Sequence, residues 1–425
     1  MIPSSPSSPV GSCRFFPARG LWLALPLFTL LIAACDTVDD GGSTSLHQFD
    51  YLTPVLVSPS LTFTSLGAGV FHSCGTTADG TAYCWGANQR GELGTSSSMD
   101  TCGMPPAENF PCSGTPLPVS GSQRFTTVQT GQPGNGYSCG LNEEGKAYCW
   151  GFGLGGQLGD GLRRNSSIPV AVSGGREFEV LSVGFGGLAC GIAVDGHTYC
   201  WGVNSSGQLG TGVASSAEAV PRRITDELRF TSIDLGDQHA CGLTADGTAY
   251  CWGSNWYGTL GIGPGEGPGG IAQSLVPVRV QGDLRFTSIV TGSNQTCALE
   301  VGGAAYCWGA PMSIGSTPSP AHHGTARAVA GGHTFVSLHA GYLHTCGLTA
   351  AGDAYCWGEN LAGEIGDGSR VDRQLPTRIQ TDIRFASLSH RPTCGLSADG
   401  RAHCWGANSF GSVGRTGYYV GRPLP

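Results

Sequence analysis

Seven pairs of cysteines stand ten residues apart in this chain, and each second cysteine is followed by Trp-Gly. The pairs are Cys74 with Cys84, Cys139 with Cys149, Cys190 with Cys200, Cys241 with Cys251, Cys297 with Cys307, Cys346 with Cys356, and Cys394 with Cys404. First cysteines recur every 48 to 65 residues, the mark of a repeat architecture in which each unit leans on its neighbours. In the copy around Cys346, Ala350-Ala351-Gly352 forms a three-residue hairpin loop with glycine in the left-handed place. Counting outward from that loop, Thr349 faces Asp353, Leu348 faces Ala354 and Cys346 faces Cys356. The two cysteines fall on a non-hydrogen-bonded pair, with Cα atoms about 4.5 Å apart, within reach of a disulfide. Zinc knuckles separate their cysteines by two to four residues, so nine intervening residues argue for a cross-strand bridge and against a metal.

A strand precedes each hairpin, as in Phe230-Thr231-Ser232-Ile233, and another follows after a Gly-rich loop, as in Val220-Pro221-Arg222-Arg223-Ile224. Four short strands make a sheet that cannot bury both faces alone. Seven such sheets around an axis form an all-β, seven-bladed β-propeller of four-stranded antiparallel blades. The last repeat stops at Arg422-Pro423-Leu424-Pro425, where other copies begin their fourth strand, and Thr53-Pro54-Val55-Leu56-Val57 supplies that strand. The N-terminal strand is expected to join the last blade and close the ring.

The best-preserved copy runs His-Thr-Cys-Gly-Leu-Thr-Ala-Ala-Gly-Asp-Ala-Tyr-Cys-Trp-Gly from His344 to Gly358, and an Asn-x-x-Gly-x-Leu-Gly tail is clear at Asn88–Gly94, Asn204–Gly210 and Asn255–Gly261. This pattern resembles the regulator-of-chromosome-condensation repeat, over about residues 53 to 425, and the resemblance implies a seven-bladed propeller. The fifth unit shortens its tail to Met312-Ser313-Ile314-Gly315, and the seventh has Pro392 in place of the recurrent His. The eukaryotic namesake of the family exchanges nucleotide on a small GTPase; a shared fold does not carry that activity here.

Arg14 and Arg19 precede an apolar run from Leu21 to Ala34, too short for a spanning helix and typical of an export signal. The run ends Leu31-Ile32-Ala33-Ala34-Cys35, which resembles the lipobox of bacterial lipoproteins and implies cleavage before Cys35 and lipidation of it. The expected organisation is a signal over 1–34, a flexible tether over 35–50 and the propeller over 51–425, lipid-anchored to a bacterial membrane on its periplasmic or outer side. Export supplies the oxidising setting that disulfides need. Cys13 leaves with the signal and Cys35 takes the lipid, so Cys102 and Cys112, in the long insertion after the first hairpin, pair with each other. Without residues 1–34 the chain keeps 20 basic against 30 acidic residues, a formal charge of −10, which repels nucleic acid.

His72, His239 and His344 recur two residues before a first cysteine. They belong to units one, four and six, which favours a structural role over a metal site. The run Gly151-Phe152-Gly153-Leu154-Gly155-Gly156 lacks the strand-turn-helix setting of a dinucleotide site and is a variant of the repeat tail. No nucleophile elbow and no His-Glu-x-x-His motif is read, and no metal, cofactor or catalytic residue is assigned. Function is expected where the repeat is broken. In the Asn-x-x-Gly loop the middle residues are polar in some units, as in Gln89-Arg90 and Ser205-Ser206, but Leu154, Trp256, Tyr257, Leu361 and Phe410 occupy them elsewhere. Equivalent loops share one rim, so these side chains are candidates for an apolar binding ring, widened by insertions at 96–117 and 263–274. The expectation is a monomeric, non-enzymatic scaffold binding a protein or glycan outside the cytoplasm. An extracytoplasmic hydrolase or lyase with carboxylates on the propeller axis is the first alternative, and a GTPase regulator the second.

Overall fold

The computed structural model describes residues 50–97, 99–102, 110–131, 136–264, 270–316, 323–389 and 393–415. The expected signal over 1–34, Cys35 and all but the last residue of the tether lie outside the described residues, as do His322, Pro392 and Arg422–Pro425. The described chain forms seven antiparallel sheets, six of four strands and one of five. In blades two to six the four strands follow one another in sequence across the sheet. Blade four, for example, is built from Phe230–Leu235, His239–Thr244, Ala249–Ser254 and Gln273–Arg279. Blade seven takes its first three strands from Phe385–Ser389, Thr393–Ser397 and Ala402–Gly406. Its fourth strand is Tyr51–Leu56, from the other end of the propeller sequence, with Val55 opposite Cys404. Blade one differs from the expectation of four strands: a short strand at Asp100–Cys102 adds to the outer edge of Phe110–Pro118. The insertion after the first hairpin thus folds back as a small extra hairpin carrying the Cys102–Cys112 disulfide.

Each hairpin has the register that its turn dictates. Cys346 lies opposite Cys356 and Leu348 opposite Ala354, while Thr349 N–H donates to the Asp353 carbonyl at 2.9 Å. Gly352 closes the loop at φ +80°, a conformation open to glycine without penalty. Disulfides join Cys74 to Cys84, Cys139 to Cys149, Cys190 to Cys200, and Cys241 to Cys251. Others join Cys297 to Cys307, Cys346 to Cys356, and Cys394 to Cys404. All seven hold their Cα atoms 4.1 Å apart. That is slightly closer than the about 4.5 Å of an ordinary facing pair at a non-hydrogen-bonded position. Cys102 and Cys112 are not a facing pair of this kind, and their Cα atoms stand 5.8 Å apart.

The Trp-Gly dipeptide has its own geometric cause. The register slips between Cys356 and Gly358, Gly358 adopts φ +113°, and a Cβ there would lie 2.3 Å from the Leu343 carbonyl oxygen. Only glycine lets the outer strand pass the turn at that bulge.

The repeat tryptophans are fully buried and lock each blade to the one before it. Each indole N–H donates to a backbone carbonyl in the loop after the preceding blade's third strand: Trp150 to Glu92 at 3.0 Å, Trp252 to Gln208 at 2.9 Å, and Trp85 of blade one to Ser412 of blade seven at 2.9 Å. A phenylalanine from just before or at the start of the blade's first strand packs on the same ring, as with Phe230 and Trp252 at 5.6 Å between centroids. The loop Asn holds its turn from within. Asn88 Oδ1 accepts from Leu93 N–H at 2.9 Å, and Asn204, Asn255, Asn360 and Asn408 repeat the bond five residues on.

Candidate functional site

Within a blade the strands alternate in direction, so connections between first and second strands and between third and fourth strands share one face. The hairpin turns lie on the other. The first face therefore carries both the short Gly-x-x turns and the Asn-x-x-Gly loops, and it is where the units differ most from one another.

The recurrent histidines belong to the scaffold. His72 Nε2 lies 2.9 Å from Ser138 Oγ, His239 Nε2 2.9 Å from Thr296 Oγ1 and His344 Nε2 3.0 Å from Thr393 Oγ1, each partner sitting in the next blade. Ser138 donates its hydroxyl proton to the Glu92 carbonyl, so the His72 ring donates from Nε2. Where the next blade offers alanine instead of a hydroxyl, the histidine is replaced: Tyr137 meets the blade of Ala189, and Leu188 that of Ala240. In blade five, Gln295 reaches the Gly341 and His344 carbonyls instead. Burial lowers the imidazole pKa of His72 and of His239 to about 4, so both are neutral at physiological pH. Among the described residues no group of three or more His, Cys, Asp or Glu side chains is placed to hold a metal ion.

One string mimics a catalytic motif that the sequence was not expected to hold. Gly136-Tyr137-Ser138-Cys139-Gly140 spells Gly-x-Ser-x-Gly, the pattern of a nucleophile elbow. That elbow needs a sharp strand-to-helix turn with its serine exposed. Here the string opens the strand Tyr137–Asn142, and Ser138 is fully buried between the His72 ring and the Glu92 carbonyl. Its hydroxyl cannot meet a substrate.

The axis is lined by the first strands. The residue opposite each first cysteine is Gln129 in blade two, Asp234 in blade four and His339 in blade six. Two of these stitch neighbouring inner strands: Gln129 bonds the Leu181 carbonyl and Val183 N–H, and Asp234 accepts from the N–H and hydroxyl of Thr291 at 2.6 and 2.8 Å. The inner strand of each sheet is an edge, and these side chains occupy its backbone groups.

The expected rim residues do not behave alike. Leu154, Trp256 and Leu361 are exposed, at 56, 56 and 60 %, on the loops of blades two, four and six. The loop between the first two of these carries Ser205-Ser206, so the three stand apart and do not form a continuous apolar ring. Phe410 departs from the expected rim. It is half-buried, with its ring centroid 4.7 Å from Phe110 and 5.6 Å from Phe71, against the Cys102–Cys112 bridge. The extra hairpin of blade one gave it a partner. It is also the only non-glycine with positive φ among the described residues, at +60°.

Tyr257 points to a feature that the loop pattern alone did not reveal. Together with Trp256 it borders a cavity of about 350 Å³ at the junction of blades four, five and six. Asp237 and Gln238 enter from the turn after Phe230–Leu235, and Ser293 and Asn294 from the turn after Phe286–Thr291. Tyr342, from the equivalent turn of blade six, completes the wall. Burial pushes the Asp237 carboxyl above the ordinary carboxylate range, opposed by a hydrogen bond from the Ser293 hydroxyl. The signal for this site was in the Gly-x-x-His stretch. Its two variable residues are polar in adjacent blades, Asp237-Gln238 and Ser293-Asn294, while blade one has Val70-Phe71. The arrangement offers hydrogen-bond donors and acceptors beside aromatic faces, with Asp237 the single carboxylate among the described lining residues.

The fold and this loop face define a seven-bladed propeller whose repeats build the walls and whose turns carry the variation. Models of the regulator of chromosome condensation (RCC1) repeat match residues 63–92, 144–190, 195–243, 230–259, 246–299, 335–364 and 387–412, and the chain belongs to this repeat family. It is 27 % identical to the ultraviolet-B receptor UVR8 of Arabidopsis thaliana over 250 residues, which are 57 % of this chain and 52 % of that protein. The chain thus spans about half the length of that relative. Among solved structures, human WBSCR16 superposes with a TM-score of 0.69 at 18 % identity, covering 84 % of this chain and 90 % of that one. Yeast RCC1 (Prp20), solved bound to Kap60, gives 0.65 at 21 % identity, covering 82 and 81 %. These two likenesses speak to the fold.

Proposed function

We propose that this protein is an extracytoplasmic, membrane-tethered scaffold that binds a protein or glycan through its loop face, held to the membrane by lipid on Cys35. The observation that carries the reading is the concentration of repeat-breaking side chains on that one face, around the cavity bordered by Trp256, Tyr257 and Asp237. A large exposed aromatic on a rigid loop is the kind of residue that anchors interfaces. A receptor stands among the relatives of this chain, which agrees with a binding role. The location rests on the Leu31–Cys35 motif and on eight disulfides, seven of them between facing cysteines, which persist in an oxidising compartment.

Crosslinking of intact cells followed by pull-down tests the reading, with wild type beside the double variant Trp256→Ala with Tyr257→Ala. A specific partner is expected with wild type and strongly reduced with the variant. Equal recovery from both would remove this face as the binding surface, and mature protein in the cytoplasmic fraction would overturn the location.

A further inference from the structure

We infer that the cavity at the junction of blades four, five and six is a binding site for a neutral saccharide ring; this rests on the reading of the loop face as a binding face. At about 350 Å³ it lies at the small end of ligand pockets. Its walls are built on short turns fixed at both ends by strands: Gly236 N–H bonds the His239 carbonyl at 2.9 Å and Gly292 N–H the Gln295 carbonyl at 2.8 Å. The residues between those bonds, Asp237-Gln238 and Ser293-Asn294, differ from the Val70-Phe71 of blade one and line the cavity.

The chemistry of those side chains selects the ligand class. A pyranose presents hydroxyls, each both donor and acceptor, and a face of C–H groups. Gln238 and Asn294 each bring an amide, the Gln238 oxygen also accepting from the Ser206 hydroxyl at 3.4 Å. Asp237 is a carboxylate acceptor that also takes the Ser293 hydroxyl. The Ser254 hydroxyl, whose oxygen accepts from Trp256 N–H at 3.3 Å, is left to donate. Trp256, 56 % exposed, offers its indole as an apolar surface beside these groups, and Tyr257 and Tyr342 add aromatic walls with polar tips. A quaternary or primary ammonium would use the aromatics and Asp237 but leave the amide donors facing a cation. Mixed donors and acceptors therefore favour the polyol. Hydrolysis of a glycosidic bond uses a pair of carboxylates. With Asp237 the single carboxylate among the described lining residues, the site is assigned to binding and not to cleavage.

Saturation-transfer NMR with the full mature chain tests the assignment. The probes are the methyl glycosides of glucose, galactose, mannose and N-acetylglucosamine, followed by a broad printed glycan array, with choline as the cationic arm. The expected result is transfer to the ring protons of at least one neutral saccharide. Affinity should fall about tenfold or more in Trp256→Ala and in Asn294→Ala, each melting as wild type does. Three results would overturn it: no neutral saccharide bound in either format, choline bound in preference to every saccharide, or unchanged saccharide binding in both variants. A partner captured through Trp256 and Tyr257 without any saccharide signal would sink this assignment alone. Saccharide binding with partner recovery equal in wild type and variant would sink the macromolecular reading and leave this one standing.

Discussion

Glu92 fills the position held by Gln157 and Gln208 in blades two and three, directly after the loop glycine. Its carboxylate accepts from Arg90 N–H at 2.7 Å, as the Gln208 amide oxygen accepts from Ser206 N–H at 2.8 Å. Burial nevertheless pushes its carboxyl from the ordinary 4.5 up to about 7. A carboxyl that ionises less readily in the folded chain contributes its full stability below about 4.5 and loses it as pH rises through 7. The loss is on the order of 3 kcal/mol at most. Glu92→Gln keeps the turn's hydrogen bond without the charge. It should raise the melting temperature at pH 8 and leave it nearly unchanged at pH 4, as read by thermal unfolding. An equal shift at both pH values would contradict the assignment. His72 and His239 act in the opposite sense. Their lowered values mean that stability is fully present above the ordinary 6.5 and is lost as pH falls towards 4.

At the scale of the element, the hairpin was the most legible part of the sequence. A fixed ten-residue spacing around a glycine-closed turn admits one register, and the facing cysteines lie in it, as with Cys74 and Cys84 or Cys139 and Cys149. The Tyr51–Leu56 strand was legible for a different reason: Thr53-Pro54-Val55-Leu56-Val57 repeats the pattern of fourth strands elsewhere, as in Val276-Pro277-Val278-Arg279-Val280. That strand covers the edge of Ala402–Gly406, and Val57 N–H bonds the Ala402 carbonyl at 2.8 Å. Removing residues 1–57 should expose this edge, lower the melting temperature by several degrees and promote aggregation. Removing only 1–48 should do neither. Scanning calorimetry with light scattering separates the two, and identical behaviour of both truncations would show that blade seven does not depend on that strand. The short strand Asp100–Cys102 was not legible, because it belongs to a single unit and no other copy supplies a template for it.

For the whole molecule, the repeat announced the fold and hid the site. Residues that recur seven times must satisfy the same contacts seven times, so Trp, Phe, Cys and the bulge glycines read out as structure. Leu154, Trp256 and Leu361 were legible as exceptions to the loop pattern. Phe410 broke the same pattern but met Phe71 and Phe110 across the seam, a contact set by the insertion in blade one. Asp237, Gln238 and Asn294 are ordinary turn residues in sequence, and only the stacking of blades four and five brings them to one cavity. Conversely, the three histidines that looked most like chemistry in the sequence are inter-blade bonds. The central claim is that the repeats hold the ring while one face, that of the loops, does the binding. The most direct measurement places a photoreactive side chain at position 256, on the loop face, or at position 351, on an exposed hairpin turn of the opposite face. Both proteins are then irradiated in intact cells. A crosslinked partner from position 256 and none from 351 is the predicted result. Crosslinking from 351 alone, or equally from both, would contradict the assignment of function to the loop face.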